Sequence, residues 1–446
     1  MLNLKPTILI SIEVRSRELL SKCILAHELI KKGYRVYLGS TLAIYHVARQ
    51  IEKSIILHKS TWKKRSEFLK NCGHIFTFLD EEGGITISRH YLKEFCKNRY
   101  SSVTKKNTDV IFLPNFFFLR QIKRNLGLKA NGIKFFVTGW PRIDLWRKKY
   151  RFLYLPRINE IRKKYGSFFL FISSFGITDL KTFKELINSE PKSYHKTISF
   201  KYNSLLKYID LFKKLSILMK QDEKIIIRPH FNESLTSWKK IFKDYPNIKV
   251  IREGEVDPWL YAADSLIQFG STTVTQAVLN NKNCIQYKVI NKKGVTDTPS
   301  YELCTNSKSP EEMYSLLKQN KNKIKLKKKA KEYLKKYMTY EKNETATIKL
   351  VRELENIKID SIKQVNFNFF NKFIYYLHYV KIFIHSFLFK LKFFPIGSVN
   401  ILDKLEGGIQ EKQIKNIFRL LEKNNQFASG IKLNTILRDV FCIEKN

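Results

Sequence analysis

Cysteine and acidic residues are scarce in this chain, and each shortage excludes something. Its 446 residues hold six cysteines, Cys23, Cys72, Cys96, Cys284, Cys304 and Cys442. They are scattered, with no CxxC pair and no metal-ligand spacing. That argues against a disulfide framework or a zinc module and fits reduced thiols in a cytoplasmic protein. Asp and Glu number 40 against 82 Lys and Arg, for a formal net charge of +42. So large a surplus calls for an anionic partner: nucleic acid, an anionic membrane or phosphorylated substrates. Lys, Asn, Ile, Phe and Tyr are abundant together, so an AT-rich coding sequence accounts for part of it. No run of about 20 apolar residues exists, so no spanning helix is expected. The start "MLNLKPTILISIEV" enters a strand at once, without the n-region and h-region of a secretory signal. GxxxxGKS/T, GxGxxG, GxSxG, HExxH and DXD patterns are missing as well. The expectation is a protein with no metal site and no cofactor.

What is present is α/β periodicity. Apolar runs occur at 7–14, 34–40, 54–59, 74–80, 109–115 and 134–139, separated by amphipathic stretches such as "SRELLSKCILAHELIKKG" (16–33). Near-continuous apolar strands alternating with helices predict a parallel sheet covered on both faces. The pattern restarts at "FFLFISS" (168–174) and continues at 224–230, 248–253, 265–270 and 283–289. This predicts two doubly wound domains, 1–150 and 165–345, with an irregular insertion at 176–200. Ligands of such sheets bind beyond the carboxyl ends of the strands, so the cleft between the domains is the expected site. Residues 346–446 form a helical extension in this reading, ending in a small helical cap over 401–446. Within it, 367–394 is dense in Phe, Tyr, Ile and Leu and interrupted by lysines. That composition suits a basic interfacial helix or a helix packed on the N-terminal domain. The lysine run at 321–336 reads as a solvated or lipid-facing helix.

Several segments could carry chemistry. In "FGSTTVTQA" (269–277), Gly270 turns a strand into a helix opened by Ser271, Thr272 and Thr273, a place for a phosphate or for plain N-capping. In "IIIRPHFNE" (225–233), a buried strand ends by presenting Arg228 and His230, either as an anion site or as an arginine–acid pair at a domain edge. Between them, Asp257-Pro258 starts a helix, Trp259 belongs in the core, and Glu253 and Glu255 are candidates for holding a ribose. In the first half, "SIEVRSRE" crowds Glu13, Arg15, Arg17 and Glu18 into a strand-to-helix turn. "FLDEEGG" sets Asp80, Glu81 and Glu82 before two glycines, as an active loop or a solvated turn. Any of these carboxylates could act as a general base on a hydroxyl. "VTGWPRIDLW" places Gly139, Pro141, Arg142 and Asp144 at the domain junction.

In order along the chain, "SRELLSKCILAHELIKKGYRVYLG", "LDEEGG", "TGWPRIDL", "IIIRPH", "DPWLYAADSLIQFGSTTVTQA" and "KLEGGIQEKQI" resemble a bacterial surface-carbohydrate biosynthesis family of GT-B type. Kdo transferases and CDP-glycerol glycerophosphotransferases are related to it, and the latter share a similar GxPRxD junction. The likeness covers about 1–290 and reaches the C-terminal part weakly. It implies two facing Rossmann-like domains. It also implies that Ser271, Thr272 and Thr273, with Arg228, His230, Gly270 and Gln276, hold the donor, and that Glu13, Glu18, Asp80, Glu81 or Glu82 supplies the catalytic carboxylate. The chain departs from the pattern at Phe231, where RPHP is usual, and at Trp140, where a smaller polar residue is common.

The expected activity is glycosyl transfer from a nucleotide-activated donor, such as CMP-Kdo or a UDP-sugar, to a surface polysaccharide or lipid-linked acceptor. The nucleotide sugar is a substrate rather than a cofactor. The expected location is the cytoplasm, peripheral on the anionic inner membrane surface. Rival readings are a CDP-glycerol-type phosphodiester transferase, a catalytically dead scaffold, and a nucleic-acid-binding protein. The last lacks any recognisable binding motif, so no nucleic-acid partner is expected.

Overall fold

The computed structural model describes residues 5–59, 63–82, 92–230, 232–287, 299–319, 324–357, 359, 369–390, 404–405, 407–424 and 430–445. Phe231, the Gly83-Gly84 pair and residues 391–394 lie outside them.

The first sheet contains β1 (Ile8–Ile12), β2 (Val36–Ser40), β3 (Ile55–His58), β4 (Ile75–Leu79), β5 (Val110–Leu113) and β6 (Lys134–Val137). All these strands pair in parallel, in the order β2-β1-β3-β4-β5-β6. β1 is buried along its whole length, as a strand covered on both faces must be. The chain passes from β1 to one side and then returns to the other, so the switch point of this sheet lies between β1 and β3.

The second sheet contains β7 (Phe169–Ile172), β8 (Ile225–Arg228), β9 (Ile248–Val250), β10 (Ser265–Gln268), β11 (Asn283–Tyr287) and β12 (Thr305–Ser307). Its order is β12-β11-β10-β7-β8-β9, all parallel, with the switch point between β7 and β10. Ile225, Ile226 and Ile227 are each 0% exposed. Burying each is worth roughly 1.5–3 kcal/mol, which fixes β8 inside the sheet. Two such doubly wound domains make the GT-B architecture.

Three expectations need correction. Residues 176–200 are not an irregular insertion: helices Leu180–Ser189 and Lys192–Leu218 occupy this region. The second helix buries Leu205, Tyr208, Phe212 and Leu215 at helical spacing, beyond the polar start that hid the pattern. Residues 401–446 are not a wholly helical cap. After the helix Glu411–Lys423 come β13 (Ile431–Leu437) and β14 (Val440–Lys445), and β14 joins β2 antiparallel. β-branched residues on both sides of the Arg438-Asp439 turn favour this hairpin, and Asp439 takes the left-handed φ of 64°. The lysine-rich helix Ile324–Met338 is not merely solvated, since Ala330, Leu334 and Met338 are buried.

After the second sheet the chain returns to the first domain. Asn115 Nδ2 donates to the Tyr337 carbonyl at 2.5 Å, and Thr339 Oγ1 donates to the Pro114 carbonyl at 2.6 Å. Among the described residues, no helix is long and apolar enough to cross a membrane.

Candidate active site

Each loop bearing an expected site residue leaves the carboxyl end of a parallel strand. Charges act between the two rims: Arg17 of the first domain depresses His230 of the second, and Asp257 of the second supports the charge of Arg142 in the first.

On the first rim the acids form one network around Lys59, which follows β3 at the switch point. Lys59 Nζ lies 3.1 Å from Glu18, 3.3 Å from Glu13 and 3.1 Å from Glu82. Burial opposes its charge, but the carboxylates outweigh burial and hold it above the usual lysine range. Glu18 is buried and also accepts from the Glu13 backbone N–H at 2.9 Å. Asp80 is buried, accepts from Arg99 at 2.9 Å and is bonded by the Tyr100 hydroxyl. Glu81 is buried against Lys22 at 2.9 Å. These three carboxylates are engaged inside the protein. Glu13 and Glu82 keep 34% and 39% of their side-chain surface open. Burial would raise Glu13, yet Lys59 and Lys404 overcome it and bring the carboxyl down to about 2.

On the second rim, Arg228 is 6% exposed. It donates to the carbonyls of Glu253 and Gly254, each at 2.9 Å, and lies 4.9 Å over the Trp259 ring. The structure therefore places the Arg228 guanidinium on the 253–254 loop. Trp259 is core, as expected, at 0% exposure. Glu253 pairs with Arg157 at 3.3 Å. His230 Nδ1 accepts from the Asn232 backbone N–H at 3.4 Å. Burial, then Arg17, Lys201 and Arg252, lower His230 to about 4, so the ring is neutral at ordinary pH.

β7 separates β8 from β10, so Arg228 and Ser271 do not stand on neighbouring strands. Ser173 and Ser174 fill the gap, and the Ser174 hydroxyl donates to the Phe269 carbonyl. Gly270 has φ +66°, and a Cβ there would lie 2.8 Å from the Tyr301 hydroxyl oxygen. Ser271 Oγ and Thr273 Oγ1 are hydrogen-bonded at 2.7 Å, and Thr272 is the N-cap of the two-turn helix Thr273–Leu279. Gln276 Nε2 donates to Asp257 Oδ1 at 2.5 Å, while burial raises the Asp257 carboxyl above its usual range.

The junction loop divides its work. Gly139 has φ +81°, and a Cβ there would sit 2.5 Å from the Met338 carbonyl oxygen. Asp144 is buried and accepts from Ala346 N at 3.0 Å, Thr347 N at 2.8 Å and Thr347 Oγ1 at 2.8 Å, holding the start of helix Ala346–Glu355. Trp140 is buried under Arg142, which lies 5.2 Å over its ring. Burial and Arg17 lower Arg142 to about 10. Among the described residues, the side chains of Arg17, Arg142 and Lys201 have no ion pair or hydrogen bond.

Sequence reading passed over Lys59, Lys201 and Glu233. Glu233 is buried and accepts from Ser173 Oγ at 2.6 Å, Trp238 Nε1 at 2.9 Å and Gly176 N at 2.9 Å, tying the β7 loop to the β8 loop. Its signal was its place three residues after His230 in the same strand ending.

No protein-family model matches the sequence, and no curated protein matches it. Solved structures do match in fold. They include the wall teichoic acid polymerase TagF, at 13% identity and a TM-score of 0.47 over 79% of this chain and 88% of that one. S. aureus MnaA with UDP matches at 11% identity and a TM-score of 0.44, over 79% of this chain and 96% of that one. A trehalose-6-phosphate synthase matches at 9% identity and 0.38, over 71% of this chain and 78% of that one. At such values the likeness is one of overall shape.

Proposed function

We propose that the chain transfers a glycosyl group from a nucleotide-activated donor to a hydroxyl of a surface glycan or lipid-linked acceptor. The observation that carries this reading is a set of half-buried cations whose side chains make no ion pair or hydrogen bond among the described residues: Arg17 and Lys201, whose charges both act on a neutral His230, and Arg142, whose charge meets that of Arg17. Half-buried positive charge that no carboxylate bonds directly suits a phosphate-bearing ligand. Donor phosphate would lie among these groups and the Ser271 and Thr273 hydroxyls, beside the His230 ring. As the acceptor oxygen bonds to the anomeric carbon, the bond to the leaving phosphate breaks and its oxygen takes the electron pair. The cations then offset the charge that develops there. Glu13 or Glu82, the accessible carboxylates, would take the acceptor proton in an inverting reaction, or attack the carbon in a double displacement. Arg228 serves by shaping the 253–254 loop.

Incubation with CMP-, UDP- and CDP-linked donors, with and without a chelator, reads the nucleotide released. Arg17→Ala, Arg142→Ala or His230→Ala should each cut turnover by about 10²-fold or more. Near-wild-type release by all three would overturn the donor site. Activity confined to CDP-glycerol would identify a glycerophosphotransferase instead.

A further inference from the structure

Away from the cleft, the helix Phe369–Lys390 has one face on the protein and one face open. Its inner face carries Tyr375 and Tyr379, 0% and 9% exposed. The Tyr375 ring lies 5.3 Å from that of His46, its hydroxyl donates to the Arg438 carbonyl at 2.6 Å, and Arg438 lies 4.4 Å over the Tyr379 ring. The helix is thus anchored to the first domain and to the C-terminal hairpin. On the opposite face Phe373, Leu377, Val380, Ile384 and Phe387 are 51–57% exposed, and Phe383, one turn beyond Tyr379, is 62% exposed at the edge of that face. The spacing 373, 377, 380, 384 and 387 makes one stripe about 21 Å long.

The described charged residues of the helix itself, Lys372 and Lys381, are cationic. Lys372 and Lys381 are exposed and fall on opposite sides of it at 100° per residue. No Asp or Glu occurs anywhere in 367–394. On the Lys381 side lie Arg65 and Arg49, whose charges, after burial, help depress His378. Arg49 lies 5.6 Å over the ring of Phe68, which is itself 40% exposed.

We propose that this stripe is a membrane-docking surface. The helix lies in the plane of an anionic bilayer, with its apolar residues at the boundary of headgroups and acyl chains and with Lys372, Lys381, Arg49 and Arg65 on lipid phosphates. The charge chooses the occupant. A second copy of the chain would set cationic rims against each other, whereas an anionic leaflet satisfies rim and stripe together. The inference stands whether or not the cleft transfers sugars.

Co-sedimentation of the full chain with vesicles tests it. Binding should be at least about tenfold tighter to phosphatidylcholine vesicles containing one third phosphatidylglycerol than to phosphatidylcholine alone. The pair Phe383→Asp with Ile384→Asp should weaken binding about tenfold or more at an unchanged unfolding temperature, because both side chains are already exposed. Lys372→Glu with Lys381→Glu should remove most of the preference for anionic lipid. The proposal is overturned by no vesicle binding, by wild-type binding of the Phe383/Ile384 pair, or by a solution dimer that this pair converts to monomer.

Discussion

Lys404 Nζ lies 2.5 Å from Glu13 Oε1, so the C-terminal segment closes an ion pair on the turn after β1. Arg15 donates to the Gly408 carbonyl at 2.9 Å in the same contact, and Asp439 Oδ1 accepts from Ile409 N at 2.6 Å. A candidate reacting carboxylate is therefore held from both ends of the chain. Lys404→Ala should raise the Glu13 pKa from about 2 towards its ordinary value of 4.5, leaving Lys59 as its cation. Because the folded value is depressed, this stabilisation is present above pH 4.5 and is lost as pH falls towards 2. Carboxyl NMR titration of wild type and variant checks it. A midpoint still near 2 in the variant would assign the whole effect to Lys59.

Asp144 satisfies two backbone N–H groups and one hydroxyl at the start of helix Ala346–Glu355. Asp144→Ala leaves these donors buried without an acceptor and should cost about 2–4 kcal/mol of stability. Asp144→Asn retains one acceptor oxygen and should cost less. Thermal unfolding of the two variants gives the order, and equal stability to wild type would show that water replaces the carboxylate.

At Gly139 the limit is space. The Met338 carbonyl occupies the position of a Cβ, and φ is +81°. Gly139→Ala must shift the 338–346 crossing and strain the backbone, at about 1–3 kcal/mol. Faster amide exchange at Thr339 and Thr347 than in wild type is the expected readout, and unchanged exchange with unchanged stability would refute the close packing.

The strands of both domains were legible because buried parallel strands are nearly continuous apolar runs. Each expected strand is present within three residues at either end. The locations of the acidic turns and of the Arg-Pro-His strand ending were legible too, since they follow strands. The roles were less so. Arg228 and Asp144 are charged residues beside a rim, and nothing local distinguishes a side chain aimed at the cleft from one satisfied by a carbonyl or a helix start. Lys59 stands alone after a short strand, and only the strand order β2-β1-β3 shows that it enters the switch point. The C-terminal hairpin was missed because its partner, β2, is about 400 residues away in sequence.

His230 gives the sharpest test of the cleft. Its folded pKa of about 4 is below the ordinary 6.5, so its contribution to stability is present above pH 6.5 and is lost as pH falls towards 4. Burial is the larger cause and Arg17 the next. Arg17→Ala should therefore raise the imidazole midpoint without returning it to 6.5. A bound phosphate acts in the same direction, because it offsets Arg17 and Lys201 and favours the protonated ring. Imidazole NMR titration with a saturating nucleoside diphosphate should show a higher midpoint in wild type. In Arg17→Ala that rise should be smaller, since one of the charges the phosphate offsets is already gone. A nucleotide that leaves the midpoint unmoved in wild type would place the phosphate away from His230.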